Sequence, residues 1–326
     1  MTGAVYDRGY RPFEGQRGGR AQARAALLRA SIRRAIGLRR PWRQKVAPFV
    51  LLAIAVVPAI VNVGVKYLTR DTPASDIDFI TYRDYVGVSN ALLVFVALTA
   101  PDIICPDRRQ RVLPLIFARP LTDVDYVLAK VGAMASILFA FSYLPQVVLF
   151  VGQMLVSEDG ALRYLRDNAE ILWQVPVAVA LLSFFYAVVG VAVASLTSRR
   201  IIAGATIVGL FLVSSIVSAI LVGPDEDEAT SIGPPATIVT EEGETIEMPR
   251  PRSRLRIEEE DPTAAPLVNM LGLPLILRDL VFLGEIDDDH PMSGLANGGA
   301  YAVAVYLVIV TAASATLLIR YDEVER

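Results

Sequence analysis

Six predominantly apolar blocks, each about as long as a bilayer crossing, constrain this chain more than any other feature. They lie at Val46–Val65, Tyr85–Cys105, Val131–Gln153, Ile171–Leu196, Ile201–Val222 and Ala300–Ile319. A bilayer core of about 30 Å takes roughly 20 apolar residues in a helix. Backbone polar groups find no water there, so each block is expected to be helical. The period-2 alternation of a barrel strand is absent. Composition agrees: 54% of the 326 residues are hydrophobic and 20% are charged, more apolar and less charged than a typical soluble domain. The expected fold is an all-α polytopic membrane protein with six transmembrane helices.

Charge sets the orientation. Lys and Arg of short loops stay preferentially on the cytoplasmic side. With the N-terminus inside, the inner pieces 1–45, 106–130, 197–200 and 320–326 hold twelve, five, two and two basic residues, 21 in all. The outer pieces 66–84, 154–170 and 223–299 hold three, two and five, 10 in all. Both termini are therefore expected in the cytoplasm. Lys occurs only at 45, 66 and 130. That bias toward Arg points to a GC-rich bacterial genome, and hence to a bacterial inner (cytoplasmic) membrane.

Along the chain, residues 1–20 are Gly- and Arg-rich and read as disordered. The first 45 residues show no signal-peptide pattern. Leu27, Leu28, Ile32 and Ile36 recur at helical spacing among Arg24, Arg29, Arg33 and Arg34. Segment 21–45 therefore reads as an amphipathic helix on the inner membrane surface, its arginines among headgroups. Trp42 marks the interface. A nucleic-acid-binding role is disfavoured, because the segment abuts a span and lacks interleaved aromatics. Spans one to five fill 46–222, with an inner loop at 106–130. Span six and a cytoplasmic tail fill 300–326. Between them lies an extracytoplasmic insert, 223–299. Thr237–Met248 reads as a small hairpin around Glu241-Glu242-Gly243 to which Ser253–Glu259 could add a third strand, with disorder of the same stretch as the alternative. Ala264–Ile286 is apolar but broken by Pro266, Gly272 and Pro274. It is expected to dip partway into the outer leaflet and not to span.

Catalytic patterns are missing. There is no phosphate-binding glycine loop and no zinc-protease helix. Cys105 and His290 are the single cysteine and histidine, so neither a disulfide nor a His/Cys zinc site can form within the chain. The chain reads as a non-enzyme that binds no metal or cofactor itself. Asp102 is the one acidic residue inside a span, and such groups are functional candidates. With Asn62, Asn90, Gln146 and Gln174 it makes up a candidate translocation path, though hydrogen bonding between packed helices is the commoner role of such groups. Pro145 and Pro176, beside Gln146 and near Gln174, are placed to shape a cavity.

The inner loop carries the most specific pattern. Pro106 is expected to stop span two, and Asp107 to cap a short helix. Val112, Leu115 and Ile116 fall on one face, with Arg108, Arg109 and Arg111 near its start. Arg119-Pro120 ends it. Thr122-x-x-Asp125 reads as a capping box opening span three, with Tyr126 and Lys130 as interface anchors.

"DRRQRVLPLIFARPLTDVDYVLAK", Asp107 to Lys130, resembles the loop between spans two and three of type-2 ATP-binding-cassette (ABC) exporter permeases. The shared pattern is Asp107, Arg108-Arg109, the run Leu113 to Ile116, Ala118-Arg119-Pro120-Leu121, Asp125-Tyr126 and Lys130. Two positions depart from it: Arg111, where Gly is frequent, and Pro114. The six-span layout, basic surface helix and large insert extend the resemblance over most of the chain. It implies a permease subunit whose loop, at Asp107, Arg108, Arg109, Arg111, Leu113, Leu115, Ile116, Arg119 and Pro120, couples to a separate cytosolic ATPase. ATP and Mg would sit on that subunit, and a second permease subunit would complete the path. Two other classes compete. An intramembrane lipid-modifying enzyme needs clustered acids or a nucleophile near a membrane face. A stand-alone secondary carrier predicts an internal repeat with matched broken helices. Neither pattern is found.

Overall fold

The computed structural model describes residues 19–36, 42–69, 81–86, 89–118, 121–157, 160–222, 237–239, 245–247, 263–287 and 290–325, with no side chains at 42–48, 89–90, 237–239, 245–247 and 323–325. Helix α1 is Arg20–Ala35, α2 Trp42–Thr69, α3 Tyr82–Tyr85, α4 Ser89–Arg109, α5 Leu113–Phe117 and α6 Asp123–Val156. They are followed by α7 Ala161–Asp167, α8 Ile171–Ser195 and α9 Arg200–Val222. Strands β1, Thr237–Val239, and β2, Thr245–Glu247, come next. A 3-10 turn at Ala265–Val268 leads to α10, Leu273–Leu283, and α11, Gly298–Glu325.

Five stretches are long and apolar enough to cross a bilayer: Phe49–Thr69, Asp123–Val156, Ile171–Ser195, Arg200–Val222 and Gly298–Asp322. The chain is a multi-pass helical membrane protein. The second apolar block forms α4, which lies outside that set.

Helix α8 is the axis. It packs against α4, α6, α9, α10 and α11, and 72% of its apolar window is buried, against 17% for α2 and α9. A helix apolar all round belongs at the centre, and those with one polar or lipid-facing side belong outside. Small residues set the closest approaches. A Cβ on Gly204 of α9 would lie 2.8 Å from the backbone oxygen of Ala97 on α4.

Three local expectations are corrected. Pro106 does not stop α4, which continues through both Pro101 and Pro106 to Arg109. Tertiary contacts hold the turn that the proline weakens: Asp107 is 1% exposed among cations, and Arg108 donates to the carbonyl of Ser195. Asp107 therefore caps nothing. The residue ahead of α5 is Val112, which makes no side-chain cap. The surface helix is also not free on its apolar side. Leu27, Ile32 and Ile36 pack against the protein core.

The capping-box expectation holds. Thr122 and Asp125 form a reciprocal capping box at the start of α6. β1 and β2 pair antiparallel, with Ile238 opposite Ile246. In the broken segment, α10 has 11 residues, about 16 Å at 1.5 Å per residue, too short to cross a bilayer. It and the turn before it are bound to the bundle. Tyr186 donates to the Leu271 carbonyl at 3.0 Å, and Ser218 to the Ala265 carbonyl at 3.2 Å. Residues 1–18, the linker 223–236, the hairpin turn and Ser253–Glu259 lie outside the described residues.

Candidate functional site

The predicted loop residues lie at the end of the bundle where α1, the last turn of α4, α5 and the first turns of α6 meet. At its centre is Asp107. One carboxylate oxygen is 2.6 Å from Nζ of Lys130 and accepts from the Tyr126 hydroxyl at 3.1 Å. The other is paired with Arg34 of α1. Lys130 also donates to the Ile103 carbonyl at 3.1 Å and lies 5.2 Å from the Tyr126 ring centre. Side chains of Asp107 and Lys130 are each 2% exposed. Buried charges persist only when paired and hydrogen-bonded, and both conditions are met here. Lys130 and Tyr126 are thus internal, not interface anchors.

A second ionic contact holds the start of α1. Arg20 and Arg24 each reach Asp125 at 2.6 Å, on the carboxylate that closes the α6 capping box. Three arginines of α1 therefore pair with protein carboxylates, whereas Arg29 and Arg33 stay exposed.

Between these anchors the chain turns sharply. Arg111 has φ +51°, in the left-handed region that costs a side-chain-bearing residue about 1–2 kcal/mol and suits glycine. Pro114 occupies the first turn of α5, where its missing N–H and fixed φ are tolerated. Of the predicted loop residues, Arg109, Arg111 and Leu115 are exposed, Leu115 by 71%. Asp107 and Leu113 face inward and are buried. Arg108 and Ile116 are half-buried. Arg119 and Pro120 lie outside the described residues.

The four predicted path residues whose side chains are described do not converge. Gln146 donates to the Tyr82 carbonyl at 3.2 Å, and Gln174 to the Phe282 carbonyl at 3.5 Å. Asn62 accepts from Gln153 at 3.5 Å. All three tie helices together near α3, α7 and α10. A cavity of about 130 Å³ opens there, lined by Gln146 and Pro176. The side chain of Asn90 lies outside the described residues. Asp102 sits near the opposite, basic end. It is 5% exposed and 2.8 Å from Nε of Arg200.

Sequence reasoning missed two things here. Arg34, Asp107 and Lys130 come from three separate segments, and only packing unites them. Arg199 and Arg200, counted as positive-inside charge, join Asp102, Arg34 and Arg109 around a cavity of about 1330 Å³. The signal available in sequence was an acid after each of two prolines, Asp102 and Asp107, near the end of a largely apolar helix. Compared with family models, curated proteins and solved structures, the chain finds no match in any of the three.

Proposed function

We propose that the chain is the membrane-spanning permease subunit of an ABC transporter of the type-2 exporter kind. In this reading α4 is the second of six spans and both termini are cytoplasmic. The broken segment around α10 dips into the outer leaflet. The path runs between two such subunits in a bacterial inner membrane, and a separate cytosolic ATPase docks beneath α5. The observation that carries the reading is the mounting of α5. It is a five-residue helix that presents Leu115 outward, with Arg109, the last residue of α4, and Arg111 of the intervening turn exposed just ahead of it. One flank is held by the buried Asp107–Lys130 pair, the other by the Thr122/Asp125 capping box. A segment fixed at both ends passes a push into the spans, where a floppy loop would absorb it.

The test is co-purification of the tagged chain with its ATPase subunit in mild detergent, comparing wild type with Leu115→Glu and Arg111→Glu. Both positions are exposed, so folding should change by no more than about 0.5 kcal/mol. Association and coupled ATP hydrolysis should fall sharply. Wild type that brings down no ATPase, or variants that bind and hydrolyse as wild type does, would refute the proposal.

A further inference from the structure

The cavity at the basic end has an unusual wall. Four arginines line it: Arg34 from α1, Arg109 from α4, and Arg199 and Arg200 at the start of α9. Asp102 is the one carboxylate on the same wall, and it is taken by Arg200 at 2.8 Å. Arg34 shares Asp107 with Lys130. Among the described residues these five cations face two carboxylates, an excess of three positive charges. Arg109 and Arg199 have no carboxylate partner among the described residues, and both are exposed. A cavity that concentrates unneutralised guanidinium groups is under electrostatic demand for an anion. Guanidinium is planar and forked, matched to paired oxygens of a phosphate. The N-terminal end of α9, a helix of 23 residues, adds partial positive charge to the same wall.

The rest of the lining decides what carries the phosphate. Ile201, 86% exposed, and Ile202, 46% exposed, stand beside Arg199 and Arg200 on α9. Pro101 and Pro106 complete an apolar side. A free ion has no use for that surface, whereas a lipid places a charged head and an apolar body at such a boundary. We infer that this cavity binds the phosphate group of a membrane amphiphile, with Arg109 and Arg199 as its principal ligands. The inference does not depend on the permease reading, because it concerns binding by this chain alone.

The test uses the full-length chain without any ATPase. In one arm it is reconstituted into nanodiscs of phosphatidylcholine with or without phosphatidylglycerol, and retained lipid is counted by native mass spectrometry. In the other, detergent-purified protein is titrated with inorganic phosphate and with glycerol 3-phosphate. The cavity variant is Arg109→Gln/Arg199→Gln. The comparison variant is Arg29→Gln/Arg33→Gln, which removes two exposed arginines outside the cavity. Any basic residue near an anionic surface contributes about a fivefold preference, and a direct guanidinium–phosphate contact contributes more, so the cavity variant should lose well over the roughly 25-fold in phosphatidylglycerol retention that two diffuse surface charges account for. The comparison variant should lose far less. Soluble phosphates should bind more weakly than the lipid, and the cavity variant should abolish that binding too. Saturation by soluble phosphate with no lipid preference would overturn the amphiphile. Equal losses in the two variants, or no loss in the cavity variant, would overturn the site.

Discussion

Replacing Asp107 with Asn should destabilise the bundle severely, and replacing Lys130 as well should restore much of the loss. Lys130 is 2% exposed and has its ammonium 2.6 Å from the carboxylate. Without that charge it keeps only the Ile103 carbonyl at 3.1 Å and the Tyr126 ring. A buried charge stripped of its partner costs about 3–5 kcal/mol. Asparagine still accepts a hydrogen bond, so Asp107→Asn belongs near the lower figure and Asp107→Ala near the upper. At about 1.4 kcal/mol per decade, the folded-to-unfolded ratio drops by roughly two to nearly four decades. Arg34 loses the same partner but is 38% exposed on its side chain, so water compensates it. In Asp107→Asn/Lys130→Met no unpaired buried charge remains, and the double variant should be more stable than Asp107→Asn by about 2 kcal/mol. The assay is reversible unfolding in mixed micelles, completing the cycle with Lys130→Met alone. A wild-type midpoint for Asp107→Asn, or a double variant as unstable as that single one, would refute the account of the pair.

Gly204→Ala places a methyl 2.8 Å from the Ala97 backbone oxygen and should cost about 1–3 kcal/mol by prising α4 from α9. Gly209→Ala, with open space at its Cβ, should be neutral or better in the same unfolding assay. Arg111→Gly should relieve the left-handed strain at φ +51° and raise stability by up to about 1 kcal/mol after glycine's entropic cost, whereas Arg111→Val should lower it. Burial holds the His290 imidazole below its ordinary value despite Asp279 and Asp287, and its Nδ1 accepts from the Met292 N–H. Because the unfolded chain takes up that proton first, this stability is present above about pH 6.5 and is lost as pH falls through the lower folded value. Hydrogen exchange over 290–298 should therefore quicken on acidification in the wild type and much less in His290→Gln.

The apolar blocks were legible because bilayer length and backbone satisfaction act on each segment alone. The Thr122/Asp125 capping box was legible for the same reason, since its partners are three residues apart. Pro106 misled because its local rule, that the ring ends a helix, was outweighed by partners from α1, α6 and α8. Asp107 misled in the same way. A carboxylate following a proline reads as a cap, yet its ligands lie 73 and 23 positions away, at Arg34 and Lys130. The polar span residues were open to two readings, a common path or hydrogen bonds that join helices. Sequence carries no information on whether such groups face one another, and Gln146 and Gln174 face backbone carbonyls of other segments.

The two departures from the loop pattern end up with physical explanations. Arg111 adopts the left-handed conformation that glycine favours. The turn is therefore kept and its strain is borne, while a further positive charge is gained on the exposed side. Pro114 sits where proline stiffens the start of α5 without removing a needed donor. Strain at the turn, stiffness in the helix and a buried ion pair behind it act in the same direction. They leave α5 few ways to yield except by moving α4 and α6 with it. Because Asp107 binds Arg34 as well as Lys130, α1 must move too. In the proposed coupling, a force on Leu115 would reach three helices through one carboxylate, and the cavity between α1, α4 and α9 is the space whose walls it would displace.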